Sequence, residues 1–94
     1  MITLNTQFVR IKSLIWTQSE GEVVIMDIST GKYYGLNLVS SDIFLRCANQ
    51  ITVRDLINAL MESYTVERSA CEKETLDILN VFLKKGIIEI TPSL

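Results

Sequence analysis

The sequence predicts an α+β domain of winged helix-turn-helix-like plan, a three-stranded antiparallel sheet followed by three helices (βββααα). Three observations predict it. Residues 13–36 fall into short apolar or alternating runs broken by Ser19-Glu20-Gly21 and Ser29-Thr30-Gly31, the signature of strands joined by tight turns. After Asn37 the apolar spacing lengthens from two residues to about 3.6. The 94 residues, 48% hydrophobic and 21% charged, suit one small folded domain spanning 1–94, with its core in about 14–90, and argue against disorder.

The first expected strand, Ser13 to Gln18, is rich in β-branched and aromatic residues, and Ser19-Glu20-Gly21 supplies the turn that follows. Glu22 to Ile28 is a nearly continuous apolar run, which predicts a strand covered on both faces. Gly31 is free to take a positive φ in a bulged hairpin that returns the chain as a third strand, Lys32 to Leu36. Consecutive strands joined by tight turns pair as neighbours, so 22–28 is expected in the middle and 14–18 and 32–36 at the edges. Tyr33 and Tyr34 must then point to opposite faces, one toward the helices and one outward.

Asn37 or Ser40 can cap a first helix running to about Ala48, with Ile43, Phe44 and Cys47 on one face. Thr52 is a good cap for a second helix, Asp55 approximating a capping box, with Val53, Leu56, Ile57, Leu60 and Tyr64 as its apolar stripe. Ser69-x-x-Glu72 predicts a capping box for the third helix, which runs to Lys84-Lys85 and a glycine stop at Gly86. Ile87 to Ile90 reads as a short strand with no evident partner, ended by Pro92, and the segment before residue 13 carries no clear assignment.

The third helix has more apolar surface than a half-buried helix requires. Cys71, Thr75, Ile78 and Phe82 form its stripe, Leu76, Leu79 and Leu83 widen it on one side and Val81 on the other, to an arc of about 220°. Either the first two helices bury the whole arc, or Leu76, Leu79 and Leu83 form one wall of a groove beside the strand at 32–36. An apolar wall next to an unpaired strand edge is the arrangement that captures an extended peptide. Gly35 fits that reading, because glycine in a strand often marks the close approach of another backbone; a bend or bulge explains it equally well.

Composition excludes several function classes. There is no histidine, so Ser-His and Cys-His nucleophilic arrangements are absent. Cys47 and Cys71 have no CxxC spacing and read as small buried hydrophobes; no metal and no cofactor is expected. The net charge of −2 draws the chain neither to nucleic acid nor to anionic membrane. No run approaches the roughly 20 apolar residues of a membrane span, and the first residues lack signal-peptide character, so a cytoplasmic protein is expected. Winged-helix DNA binding is the main alternative, but Glu67, Glu72, Glu74 and Asp77 offset Arg68, Lys73, Lys84 and Lys85 on the third helix. Pairing of two copies through the exposed edge, giving a weak dimer, is a third reading.

Taken together, the chain resembles the PqqD-like precursor-peptide recognition element, in the stand-alone form of lasso-peptide biosynthesis. The matching residues are Val24-Ile25-Met26-Asp27, Gly31-Lys32-Tyr33-Tyr34-Gly35-Leu36-Asn37 and Ile43-Phe44, then Thr52-Val53-x-Asp55-Leu56 and Phe82-Leu83-x-x-Gly86-Ile87-Ile88. Phe44 stands where the family often has tryptophan. The resemblance implies a non-catalytic cytoplasmic module that binds the leader segment of a ribosomally made precursor as an added strand, against the third helix. It implies presentation of that precursor to a cysteine-protease leader peptidase and, in some pathways, to a cyclase. Carried onto this chain, the strand contacts fall on Lys32, Tyr33, Tyr34, Gly35 and Leu36, and the helix contacts near Leu76, Leu79, Asn80 and Leu83.

Overall fold

The computed structural model describes residues 1–92. Strands β1 (Gln7–Arg10), β2 (Ile15–Ser19), β3 (Glu22–Asp27) and β4 (Lys32–Gly35) precede helix α1 (Leu38–Arg46). A two-residue strand β5 (Ile51–Thr52), helices α2 (Val53–Ser63) and α3 (Arg68–Lys84), and strand β6 (Ile88–Thr91) complete the order. The expected meander is present as the antiparallel sheet β2–β3–β4, with β3 in the middle. Glu20 and Gly21 both have positive φ (52° and 85°), the geometry of a two-residue hairpin between the paired Ser19 and Glu22. In the second hairpin Gly31 has φ 70° and donates to the Asp27 carbonyl, while the Asp27 carboxylate accepts from the amide and hydroxyl of Ser29.

A second sheet, β5–β1–β6, was not legible in the sequence. Its central strand is β1, paired antiparallel to both neighbours, and it supplies the partner that Ile88–Thr91 needs. The sheet ties both ends of the chain to the core: Phe8 and Ile88 are buried, and the amides of Arg10 and Ile11 donate to the carbonyls of Cys47 and Ile87. The expected βββααα order is thus the central part of a two-sheet α+β fold.

Asn37, rather than Ser40, caps α1 by accepting from the Ser40 amide at 2.8 Å, and Thr52 caps α2 by accepting from the Asp55 amide at 3.1 Å. The capping box expected at Ser69 does not form. Helix α3 begins two residues earlier, with Glu67 as its cap residue and the Cys71 amide donating to the Glu67 carbonyl. That start lets Arg68 donate to the Asn58 side chain on α2 and leaves Ser69 inside the first turn, its hydroxyl donating to Glu67. The far end matches expectation. Gly86 takes φ 73°, its amide bonds the Leu83 carbonyl, and the Ile87 amide reaches back to the Phe82 carbonyl, a Schellman stop sealed by two buried apolar side chains.

One apolar core joins the layers. Val23 and Ile25 from β3, Leu36, Ile43 and Phe44 meet Leu56, Leu60, Leu79 and Phe82 from α2 and α3. On β3 the alternate residues Val24 and Met26 are only half-buried, and Ile28 just beyond it is exposed. The expectation of a strand covered on both faces therefore fails, because no element packs outside the sheet among the described residues. Arg10 threads the inner layer: its guanidinium donates to the Phe44 carbonyl and lies over the rings of Trp16 and Phe44, which meet edge to face at 5.2 Å.

Candidate functional site

Strand β4 bonds to β3 on one side, and no described strand pairs with its other side. The residues whose backbone groups face that open side follow from the ladder. The Leu36 amide donates to the Val23 carbonyl, so Leu36, Tyr34 and Lys32 direct their backbone toward β3. Tyr33 and Gly35 lie between them and direct their N–H and C=O outward. The open edge thus offers two donors and two acceptors at alternate residues, the pattern that an added strand requires.

The last rung is locked by a helix side chain. Ser41 on α1 accepts from the Val23 amide at 2.8 Å and donates to the Leu36 carbonyl at 3.2 Å, so its hydroxyl is inserted between the two strands. Leu36 has its amide and carbonyl occupied and its side chain buried, so it anchors β4 rather than presenting a group to a ligand.

Side chains divide by face as expected. Tyr33 is 72% exposed on the outer face, whereas Tyr34 is half-buried against the core beneath the ammonium of Lys85, 4.6 Å from its ring centroid. An ideal Cβ on Gly35 would meet nothing within 4 Å, so the space beside this residue is open. Lys32 is exposed at the start of the strand. A cavity of about 640 Å³ opens here, walled by Leu14, Ile25, Tyr33, Tyr34, Lys85 and Ile87 among others. A smaller notch of about 90 Å³ lies among the helices, between Val39 in the first turn of α1, Leu60 and Tyr64 of α2 and its end, and Cys71, Glu74 and Thr75 of α3.

The Lys85–Tyr34 stack identifies the flank of α3 nearest β4. At 100° per residue, Glu74, Ile78 and Val81 lie within about 40° of Lys85, whereas Leu76, Leu79, Asn80 and Leu83 lie about 120–180° away. Leu79 is fully buried, Leu76 is half-buried against the core, and the Asn80 amide is turned back to donate to the Leu76 carbonyl. Leu83 is 37% exposed on the far side. The structure therefore brings Lys32, Tyr33, Tyr34 and Gly35 together at the edge but does not add the four expected helix residues to them. Lys85 is the residue at the end of α3 that meets β4, over Tyr34, and Glu74, Ile78 and Val81 share its flank of the helix. The hydrophobic pattern pointed to the leucine side; the tyrosine-lysine stack, invisible to periodicity, marks the other.

Cys47 is fully buried and burial raises its thiol pKa to about 11, which keeps it protonated and unreactive. Among the described residues no cluster of three His, Cys, Asp or Glu side chains forms a metal site, and no helix is long and apolar enough to cross a membrane. On α3, Arg68 and Lys73 are engaged with Asn58 and Asp77, which leaves few cations for a DNA backbone.

Among curated proteins nothing matches. Two solved structures share the fold. One, described as TbiB1 in complex with the TbiA(beta) leader peptide, has a TM-score of 0.77 at 24% identity and covers 90% of this chain and 99% of its own. The other, lasso peptide synthetase B1 complexed with the leader peptide, has a TM-score of 0.74 at 22% identity, covering 87% and 96%. A family model described as Coenzyme PQQ synthesis protein D (PqqD) matches residues 22–88, well over half of the sequence. The chain belongs to the PqqD family.

Proposed function

We propose that this chain is a non-catalytic binding protein that captures the leader segment of a ribosomally made precursor by strand addition to β4. It then presents the precursor to a cysteine-protease leader peptidase and, in some pathways, to a cyclase of lasso-peptide biosynthesis. The observation that carries the reading is the open edge of β4, with the backbone groups of Tyr33 and Gly35 turned outward beside a groove bordered by α3. Family membership supports it, as do the two similar folds, both solved with leader peptides. Such a module works in the cytoplasm, where precursors are made, as a monomer or a weak dimer whose edge the leader occupies.

Magnitudes show that the edge needs the groove. Four backbone hydrogen bonds contribute about 2–6 kcal/mol net, whereas micromolar to nanomolar binding requires about 8–12 kcal/mol after the cost of association. Apolar leader side chains entering the cavity supply the difference at about 25 cal/mol per Å² buried. The test is calorimetric titration of the purified chain with synthetic leaders of lasso precursors encoded beside its gene. Saturable binding in the micromolar range or tighter is expected. Absence of heat and of anisotropy change up to about 1 mM (−4.1 kcal/mol) overturns the proposal.

A further inference from the structure

We propose that the strand captured at β4 carries an acidic side chain at the position facing Lys85, making a carboxylate a specificity element of the leader; this rests on the leader-binding reading above. The cation is already placed for it. Lys85 closes the last turn of α3, yet its ammonium folds over the Tyr34 ring at 4.6 Å instead of extending into water. An ammonium resting on a ring face keeps its outward donors free and has already lost part of its conformational freedom, so a pair formed there costs less ordering than one between two free side chains. Helix C-terminal charge explains a lysine at this place, and Lys84 beside it fills that role equally. It does not explain the fold-back onto the docking strand.

The surrounding charges leave the position open. Ion pairs among the described residues join Arg46 to Asp42 and Lys73 to Asp77, and neither involves Lys32 or Lys85. Both lysines line the same cavity, whose wall contains one carboxylate, Asp27. Asp27 is held in its own turn by the Ser29 amide and hydroxyl at 3.0 and 2.7 Å, and it is the cross-strand partner of Lys32 rather than of Lys85. A strand added to β4 lies about 4.8 Å outside it. Its inward-facing side chain next to Tyr34 therefore comes within reach of the ammonium above that ring. An aspartate or glutamate there replaces water around Lys85 with a charge-assisted hydrogen bond.

A display library of random 15-residue peptides, sorted in parallel on the wild-type chain and on Lys85→Gln and Lys85→Glu, tests the proposal. Wild type is expected to enrich Asp or Glu several-fold at one position at a fixed offset from the apolar anchors. Lys85→Gln should lose that enrichment, and Lys85→Glu should replace it with Lys or Arg. Converting the carboxylate of a wild-type-selected peptide to its amide should weaken binding to wild type about 2- to 5-fold and to Lys85→Gln hardly at all. Thermal melts verify that both variants fold, as expected for an exposed side chain. Selected peptides without an acidic position, or with one that persists on Lys85→Gln, overturn this inference and leave leader binding intact. Failure of the folded wild type to select any peptide overturns leader binding itself, and the inference with it.

Discussion

Gly35→Pro separates the open edge from the fold that supports it. The Gly35 amide points away from β3, because the rungs toward β3 come from Lys32, Tyr34 and Leu36. Proline therefore deletes a donor on the free side without touching the internal ladder, and it keeps Tyr34 in the extended conformation that a residue before proline prefers. Loss of one hydrogen bond contributes about 0.5–1.5 kcal/mol, and a leader carbonyl stranded without a partner adds about 1–3 kcal/mol. The sum, about 1.5–4.5 kcal/mol, weakens leader affinity roughly 10- to 1,600-fold. Fluorescence anisotropy with a labelled leader measures the loss, and circular dichroism melts measure the fold, which should change by no more than about 1 kcal/mol. Gln18→Pro is the matching control: it deletes an amide facing the free side of β2, where Trp16 is the one residue of the strand that is not exposed. Binding should stay within about twofold of wild type there. Unchanged affinity in a folded Gly35→Pro protein refutes strand addition at β4.

Other substitutions test the remaining structure. Leu79→Ala should cost about 2–5 kcal/mol of stability through a core cavity, whereas Leu83→Asp, on the flank away from Lys85, should leave both the melt and leader affinity nearly unchanged; a binding loss confined to Leu83→Asp would restore the leucine side as the groove wall. Ser41→Ala strands the Val23 amide and the Leu36 carbonyl and should cost about 2–3 kcal/mol, a Tm decrease of roughly 10–20 °C, read by differential scanning calorimetry. Burial moves the Cys47 thiol from 9.0 to about 11 in the folded state. Between those values the unfolded chain ionises and the folded chain does not, so the unfolded state binds fewer protons. Stability is then fully present below about pH 9 and falls by up to roughly 2–3 kcal/mol toward pH 11. Urea titrations at pH 8 and pH 10.5 should show that decrease in wild type and a smaller one in Cys47→Ala.

The parts of this fold that local chemistry dictates were readable, and those set by distant partners were not. Asn37, Thr52 and Gly86 act on backbone groups a few residues away, so the helix ends they imply appear in the structure. The Glu20-Gly21 and Gly31 turns likewise determine which strands are neighbours. Strand β1 has four residues and one buried side chain, Phe8, too short a pattern to register, and its pairing with β6 joins residues some 80 positions apart. Ser69-x-x-Glu72 was misleading because the chain is already helical at Arg68, which donates to Asn58 of α2, so Ser69 falls inside the first turn. On α3 the wide apolar arc indicated surplus surface without indicating direction. Leucines buried toward the core and leucines lining a groove look alike in a helical projection, and only the position of β4 relative to Lys85 distinguishes them.

Leaving β4 open exposes a protein to edge-to-edge association, and the structure shows how the rest of the strand limits that risk. β4 is four residues long and ends where the Ser41 hydroxyl occupies its final rung, so the free edge amounts to two residues with unpaired backbone groups. At the other end Lys32 sets a charge at the start of the strand. Two such edges meeting antiparallel form few rungs and gain little burial, because each brings only the exposed Tyr33 and the side-chain-free Gly35 to the outer face. A flexible leader meets the same edge differently. On the proposed reading it forms the same rungs and also sends alternate side chains into the cavity beneath Lys85, which a second rigid copy has no free strand to do. The shortness that makes this edge a poor dimer interface is therefore compatible with the proposed peptide capture, in which the groove rather than the ladder supplies most of the affinity.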